Sequence, residues 1–234
     1  MPAGAIAAGG SQTLMHANND LTNTASLRRG ARNYVNYCQG CHSASFVRYN
    51  QLAKDLQLSE SQMLENLMFT GDRIFDTMTI AMPADEASAW FGRTPPDLSL
   101  TGRSRGADWL YTYLMTFYVD EKSPVGSNNL ALPGASMPHV LWELQGLQRA
   151  VFRDELDDGG NVHKVFEDFE PVTQGSLTPR EYEQFVRDIV NFLAYIGEPV
   201  QLKRRAMGGW VLAFLLVFFV LALLLKKEYW SDVR

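Results

Sequence analysis

The sequence predicts a mainly α chain with long loops and one C-terminal membrane-spanning helix. Three observations carry this. Residues 207–225 read MGGWVLAFLLVFFVLALLL, nineteen positions without a charge. At ~1.5 Å rise per residue they cover roughly 28 Å, close to the ~30 Å hydrocarbon core of a bilayer. Upstream, apolar residues recur at three- and four-residue steps, while period-two alternation is scarce. Pro- and Gly-rich segments at 93–97 and 123–138 separate the helical stretches.

Composition excludes several classes. The 234 residues suffice for one or two domains. With 46% apolar and 20% charged residues, the chain is neither disordered throughout nor fibrous. A mean hydropathy of -0.15 excludes a polytopic membrane protein. The net charge of -5 argues against a broad basic face for nucleic acid. The only cysteines, Cys38 and Cys41, are too few and too close for a disulfide scaffold.

The elements follow in chain order. The opening MPAGAIAAGG lacks the basic and apolar regions of a signal peptide, although its small residues resemble a cleavage region. Leu27, Ala31, Tyr34, Val35 and Cys38 mark a first helix, with Thr24 or Ser26 as cap. Ser59-x-x-Gln62 is a capping box before a second, which Gly71 stops. A third helix runs over 84–91 and ends at Gly92; a fourth covers 106–118. The fifth is the clearest. Thr178 caps it, Pro179 opens it and Glu181 closes the box. Tyr182, Phe185, Val186, Ile189, Leu193 and Ile196 form its apolar stripe, and Gly197 and Pro199 end it.

Charge separates the chain into regions. Residues 203–234 hold six basic and two acidic side chains, so 1–202 carry a net charge of -9. Asp154, Glu155, Asp157, Asp158, Glu167, Asp168 and Glu170 form the densest acidic cluster. It reads either as a solvated loop or as a docking surface for a basic partner. Lys203, Arg204 and Arg205 precede the span, and Lys226 and Lys227 follow it. Trp210, Tyr229 and Trp230 sit near its ends, where aromatic belts form. Both flanks are basic, so charge does not orient the span. The expected organisation is an exposed domain over 1–202, a basic segment at 203–206, the anchor at 207–225 and a short tail at 226–234.

The chemistry lies in Cys38-Gln39-Gly40-Cys41-His42. This C-x-x-C-H string is the c-type haem attachment pattern. Each thiol can add across one haem vinyl group, and the adjacent His can bind iron axially. A thioredoxin-like pair needs a βαβ context, which the helical flanks do not offer. A zinc site needs about four ligands. His16, His139 and His163 show no paired spacing, and no third cysteine exists. Haem c is attached outside the cytoplasm in bacteria, which places residues 1–202 in the periplasm and the tail inside. Spacing leaves the sixth iron ligand open. Met82-Pro83 and Met137-Pro138 are equal candidates, and His139 would give bis-His ligation.

These residues resemble a family. The resemblance rests on Arg28-Arg29-Gly30, CQGCH at 38–42, WFGRTPPDLS at 90–99 and RSRGADWLYTYL at 103–114. It continues through SMPHVLWELQG at 136–146 and the last helix running through GEP into KRRAMGG and one span. The chain is similar to cytochrome c1, the haem subunit of the quinol–cytochrome c reductase (bc1) complex. The resemblance implies a class I cytochrome c-like haem domain with one covalent haem c. It makes Met137 the sixth ligand opposite His42 and leaves Met82 structural. It sets Pro95 and Pro96 against the haem and an arginine on a propionate, with Arg105 favoured over Arg103. Trp109 takes a position where some members have Tyr. No cysteines are present for the extra disulfide of some members.

The implied role is electron transfer within an enzyme complex, not catalysis by the chain alone. The electron would come from the Rieske iron–sulfur protein, with cytochrome b as neighbour, in a dimeric complex of the bacterial inner membrane. It would pass to a periplasmic or membrane-tethered cytochrome c. Two other classes remain: an anchored c-type cytochrome serving a terminal oxidase or denitrification enzyme, and a non-haem thiol protein.

Overall fold

The computed structural model describes residues 13–156 and 162–231. Residues 1–10 and two members of the acidic stretch, Asp157 and Asp158, lie outside the described residues. The chain divides into two units, residues 1–197 and 198–234.

The first unit runs α1 (Thr24–Tyr37), β1 (Ala44–Arg48), α2 (Tyr49–Asp55), α3 (Glu60–Asn66), β2 (Thr77–Met78), α4 (Ala84–Phe91), α5 (Thr101–Ser104) and α6 (Ala107–Met115). It continues with β3 (Phe117–Val119), β4 (Ser127–Asn129), α7 (Trp142–Gln145), β5 (Gln148–Leu156), β6 (Val162–Pro171) and α8 (Pro179–Gly197). Among the described residues the strands form three antiparallel pairs, β1–β2, β3–β4 and β5–β6.

The core forms where α1 lies against α8. Tyr34 stacks obliquely on Phe192, and Tyr37 meets Phe185 edge-on. Ala31, Tyr34, Val186, Ile189, Val190 and Phe192 are completely buried. The helices approach closely because Gly30 has no side chain; a Cβ there would collide with the Asp188 carbonyl oxygen. Gly102 on α5 approaches the Leu193 carbonyl in the same way. Asp188 is buried and fully engaged. Its carboxylate accepts from Arg29 Nε and Nη2 at 2.6 and 2.9 Å, and from Ser26 Oγ at 2.6 Å. That pairing answers the desolvation of a buried charge.

The helix signals at Ser59, Gly92 and Thr178 correspond to real ends. Ser59 and Gln62 form the reciprocal capping box of α3. Gly92 ends α4 at φ 74°, and Thr178 and Glu181 bond reciprocally at the start of α8. Three expectations shift. Asn23, not Thr24 or Ser26, caps α1, its carboxamide oxygen accepting the Ser26 N–H. α3 stops at Asn66, before Gly71, where Leu67 and Met68 turn into the core. α6 stops at Met115 because residues 117–119 pair with 127–129.

The largest difference concerns the acidic stretch. Much of it is not loop but the β5–β6 ladder, with Asp154 opposite Lys164 and Phe152 opposite Phe166. Asp158-Gly159-Gly160 stands between the strands in sequence, a hairpin signature. The alternation is weak in sequence because both strands are largely exposed and mix charged with apolar residues on both faces.

The second unit contains α9 (Gln201–Tyr229). Its 29 residues extend the uncharged run at both ends. Among the described residues it is the one helix long and apolar enough to cross a membrane. Arg204 in its first turn pairs with Glu198.

Candidate functional site

The attachment motif is the stop of α1. The Cys38 N–H still bonds to the Tyr34 carbonyl at 2.8 Å. The chain then reverses, and the Cys41 and His42 N–H groups both donate to the Cys38 carbonyl, at 3.1 and 2.9 Å. The Tyr34 hydroxyl donates to the His42 carbonyl at 2.7 Å. Gln39 is buried, and its amide donates to the Tyr49 hydroxyl and to Thr70 Oγ1 at 2.8 and 2.9 Å. Both cysteines are free thiols and half-buried. Burial pushes the Cys38 thiol up to about 12, with Cys41 adding in the same direction. A thiol at a helix C-terminus with a raised pKa is the opposite of a thioredoxin-type nucleophile.

The segment after the motif is stitched to residues 96–99. His42 Nδ1 lies 2.7 Å from the Pro96 carbonyl oxygen. The Leu98 N–H donates to the Ser43 carbonyl at 2.8 Å. One Asp97 oxygen accepts the Ser45 N–H and hydroxyl at 2.9 and 2.7 Å, and the other accepts the Ser99 N–H at 2.8 Å. The Phe46 N–H donates to Ser99 Oγ at 3.1 Å. A carbonyl only accepts, so Nδ1 carries the ring proton and Nε2 keeps its lone pair. Burial also holds His42 below the ordinary imidazole range, against a smaller opposing pull from the Pro96 carbonyl. A neutral imidazole of fixed tautomer is the form that ligates a metal.

The other expected residues fall in distinct places. Met137 lies between β4 and α7 and packs against the main core, as Cys38 and Trp109 do. Met82, before α4, is half-buried and outside that cluster. Arg105 is exposed, its guanidinium carbon 4.9 Å from the Trp109 ring centroid. Arg103 is on α5 and also exposed. Pro95 is half-buried and Pro96 exposed, with its carbonyl on His42. The structure therefore joins His42 to Pro96, and Arg105 to Trp109. Cys38, Trp109 and Met137 border one core.

Sequence reasoning missed Tyr34, Gln39 and Asp97, which hold the motif in place. Tyr34 lay on the apolar stripe of the first helix, where it read as core. Asp97 sits in PPDLS without any local pattern to signal its three acceptor contacts.

Two thiols spaced by two residues and followed by an imidazole whose Nε2 keeps its lone pair fit a haem bound by thioethers and a histidine. The sequence profile described as the Cytochrome C1 family matches residues 16–233. The chain belongs to the cytochrome c1 family. It is 49% identical to the cytochrome c1 of Allochromatium vinosum over 233 residues, covering 100% of this chain and 95% of that one. It is 44% identical to the ammonia monooxygenase gamma subunit of Nitrosomonas europaea, covering 92% and 86%. To the mitochondrial cytochrome c1 of Schizosaccharomyces pombe it is 28% identical, covering 90% and 68%. Membership in the cytochrome c1 family implies a haem c and an electron-transfer role in a bc1-type complex. The mainly helical fold with a C-terminal candidate span agrees with that family.

Proposed function

We propose that this chain carries one electron at a time from the Rieske iron–sulfur protein to a periplasmic or membrane-tethered cytochrome c. The supporting observation is the His42–Pro96 contact beside two free thiols. When bound, haem c supplies reversible one-electron oxidation and reduction. Cys38 and Cys41 hold it through thioethers, each S–H adding across one vinyl C=C. His42 Nε2 and the Met137 sulfur would hold the iron. A Met/His pair raises the potential relative to bis-His. Held by both residues, the iron would leave no position for oxygen or substrate, and the chemistry supplied would be outer-sphere electron transfer.

Arg105 would hold a propionate, to which a guanidinium can bond bidentately. Trp109 packs its ring against the Arg105 guanidinium, and Pro95, Pro96 and Trp109 would shield the haem from water. Helix α9 anchors the chain in the bacterial inner membrane beside cytochrome b, with residues 1–202 in the periplasm and the tail in the cytoplasm. The complex is dimeric.

A pyridine haemochrome assay and a reduced-minus-oxidised spectrum test this reading. One covalent c-type haem per chain is expected, with a thioether–iron charge-transfer band in the oxidised protein. Absence of covalent haem returns the motif to thiol chemistry. Purification without cytochrome b and a Rieske partner would favour an anchored cytochrome serving another oxidoreductase.

A further inference from the structure

The loop at 130–139, which carries Met137, is held by three consecutive residues of β4. Ser127 Oγ accepts the His139 N–H at 3.2 Å. Asn128 Oδ1 accepts the Gly134 N–H at 2.8 Å. Asn129 Oδ1 accepts the Ala131 and Leu132 N–H groups at 2.9 and 3.2 Å. Asn129 is itself completely buried, and its Nδ2 donates to the Tyr113 carbonyl at 2.7 Å. One side chain thus ties the start of the loop to the last turn of α6.

A second device holds the loop's other end. The buried His139 ring stacks on Phe117, with centroids 5.0 Å apart and planes 2° from parallel. Phe117 meets Tyr113 edge-on at 5.0 Å, and Tyr113 stacks on Trp109 at 5.2 Å. The Arg105 guanidinium covers Trp109. Trp109 and Tyr113 are four positions apart on one face of α6, with Arg105 just before the helix and Phe117 just after it in β3. The aromatic row therefore runs from Arg105 to the residue two places after Met137.

A thioether is a neutral, weak ligand, so its hold on iron depends on how little the loop must be ordered to bring it there. We propose that Asn129 and His139 are positioning residues for Met137: together they clamp its loop from both ends and set how often the sulfur leaves the iron. The proposal rests on the reading of Met137 as the sixth ligand.

The test uses the full-length, haem-loaded chain in detergent, with cyanide as probe of the vacated axial position. Cyanide association to the ferric protein, the midpoint potential and the thioether–iron band are measured for His139→Ala, His139→Phe and Asn129→Ala. Each is assayed well below its own unfolding midpoint. His139→Ala is expected to speed cyanide association about two- to tenfold, the factor one aromatic pair is worth, and to lower the potential. His139→Phe restores the ring stack and returns both values towards wild type. Asn129→Ala, which removes the hydrogen bonds to Tyr113, Thr116, Ala131 and Leu132, has the larger effect.

A purely structural role would lower thermal stability and leave the cyanide rate and potential unchanged in both Ala variants; that result overturns the clamp. So does a His139→Phe variant that behaves like His139→Ala. If Asn129→Ala fails to fold, the His139 pair alone decides. Met137→Leu is run in parallel. Retention of its thioether–iron band would overturn the ligand assignment, a failure distinct from unchanged kinetics in the clamp variants.

Discussion

His42 and Pro96 are 54 residues apart in sequence and joined by a 2.7 Å contact from Nδ1 to the main-chain carbonyl. Because the acceptor is backbone, no substitution at Pro96 removes it directly. Its geometry depends on how residues 96–99 are held, and Asp97 does most of that holding. Hydrogen bonds from Ser99 and Ser45 keep the Asp97 carboxyl below its ordinary range despite the opposing effect of burial. Asp97→Ala removes three charge-assisted bonds at a partly exposed site. It is expected to cost about 2 kcal/mol in urea unfolding, with Asp97→Asn costing less.

Met137 and Met82 separate by substitution. Met137→Leu is expected to lose the thioether–iron charge-transfer band and to bind cyanide readily. Met82→Leu is expected to retain the band, and as a nearly volume-conserving swap to cost less than about 1.5 kcal/mol. The reverse pattern would move the ligand to the loop before α4.

Arg105 and Arg103 are distinguished by potential. A propionate charge favours ferric iron, and a guanidinium that neutralises it favours ferrous iron. Arg105→Gln is expected to lower the midpoint by ~40 mV, the one-electron equivalent of the ~1 kcal/mol of a partly exposed ion pair. Arg103→Gln is expected to leave it near wild type. Potentiometric titration reads both.

Asp188 holds α1 against α8 through Arg29 and Ser26. Asp188→Ala leaves Ser26 and Gln184 without their acceptor, while the half-exposed Arg29 guanidinium can turn to water. The expected cost is about 1–3 kcal/mol. Gly30→Ala attacks the same crossing by collision and is expected to separate the helices. Thermal unfolding followed by circular dichroism measures both.

The segment 13–20 responds to acid. The Ala17 N–H donates to Asp108 at 2.9 Å, and His16 Nδ1 lies 2.9 Å from its other oxygen. The Ala17 N–H lowers the Asp108 pKa, burial opposes it, and His16 lowers it further. A depressed carboxyl pKa adds stability above the unfolded value of ~3.9 and loses it as pH falls through the folded value. Amide exchange in 13–20 is therefore expected to accelerate below about pH 4. Asp108→Asn is expected to remove that dependence.

What the sequence by itself determined is what depends on near neighbours along the chain. The CxxCH spacing is set by two intervening residues, the span by an unbroken apolar run, and the ends of α4 and α8 by caps within one turn. Each is a covalent or single-helix relation, so its pattern survives without any knowledge of the fold. The tertiary structure alone decided the rest. Nothing near His42 announces the Pro96 carbonyl, and nothing near Tyr113 announces Asn129. The β5–β6 hairpin was hidden for a different reason: its strands are neighbours in sequence, but their charged, half-exposed faces blur the alternation. Hydrogen-bond partners distant in sequence, such as Ser26 and Asp188, meet only once the elements that carry them have packed.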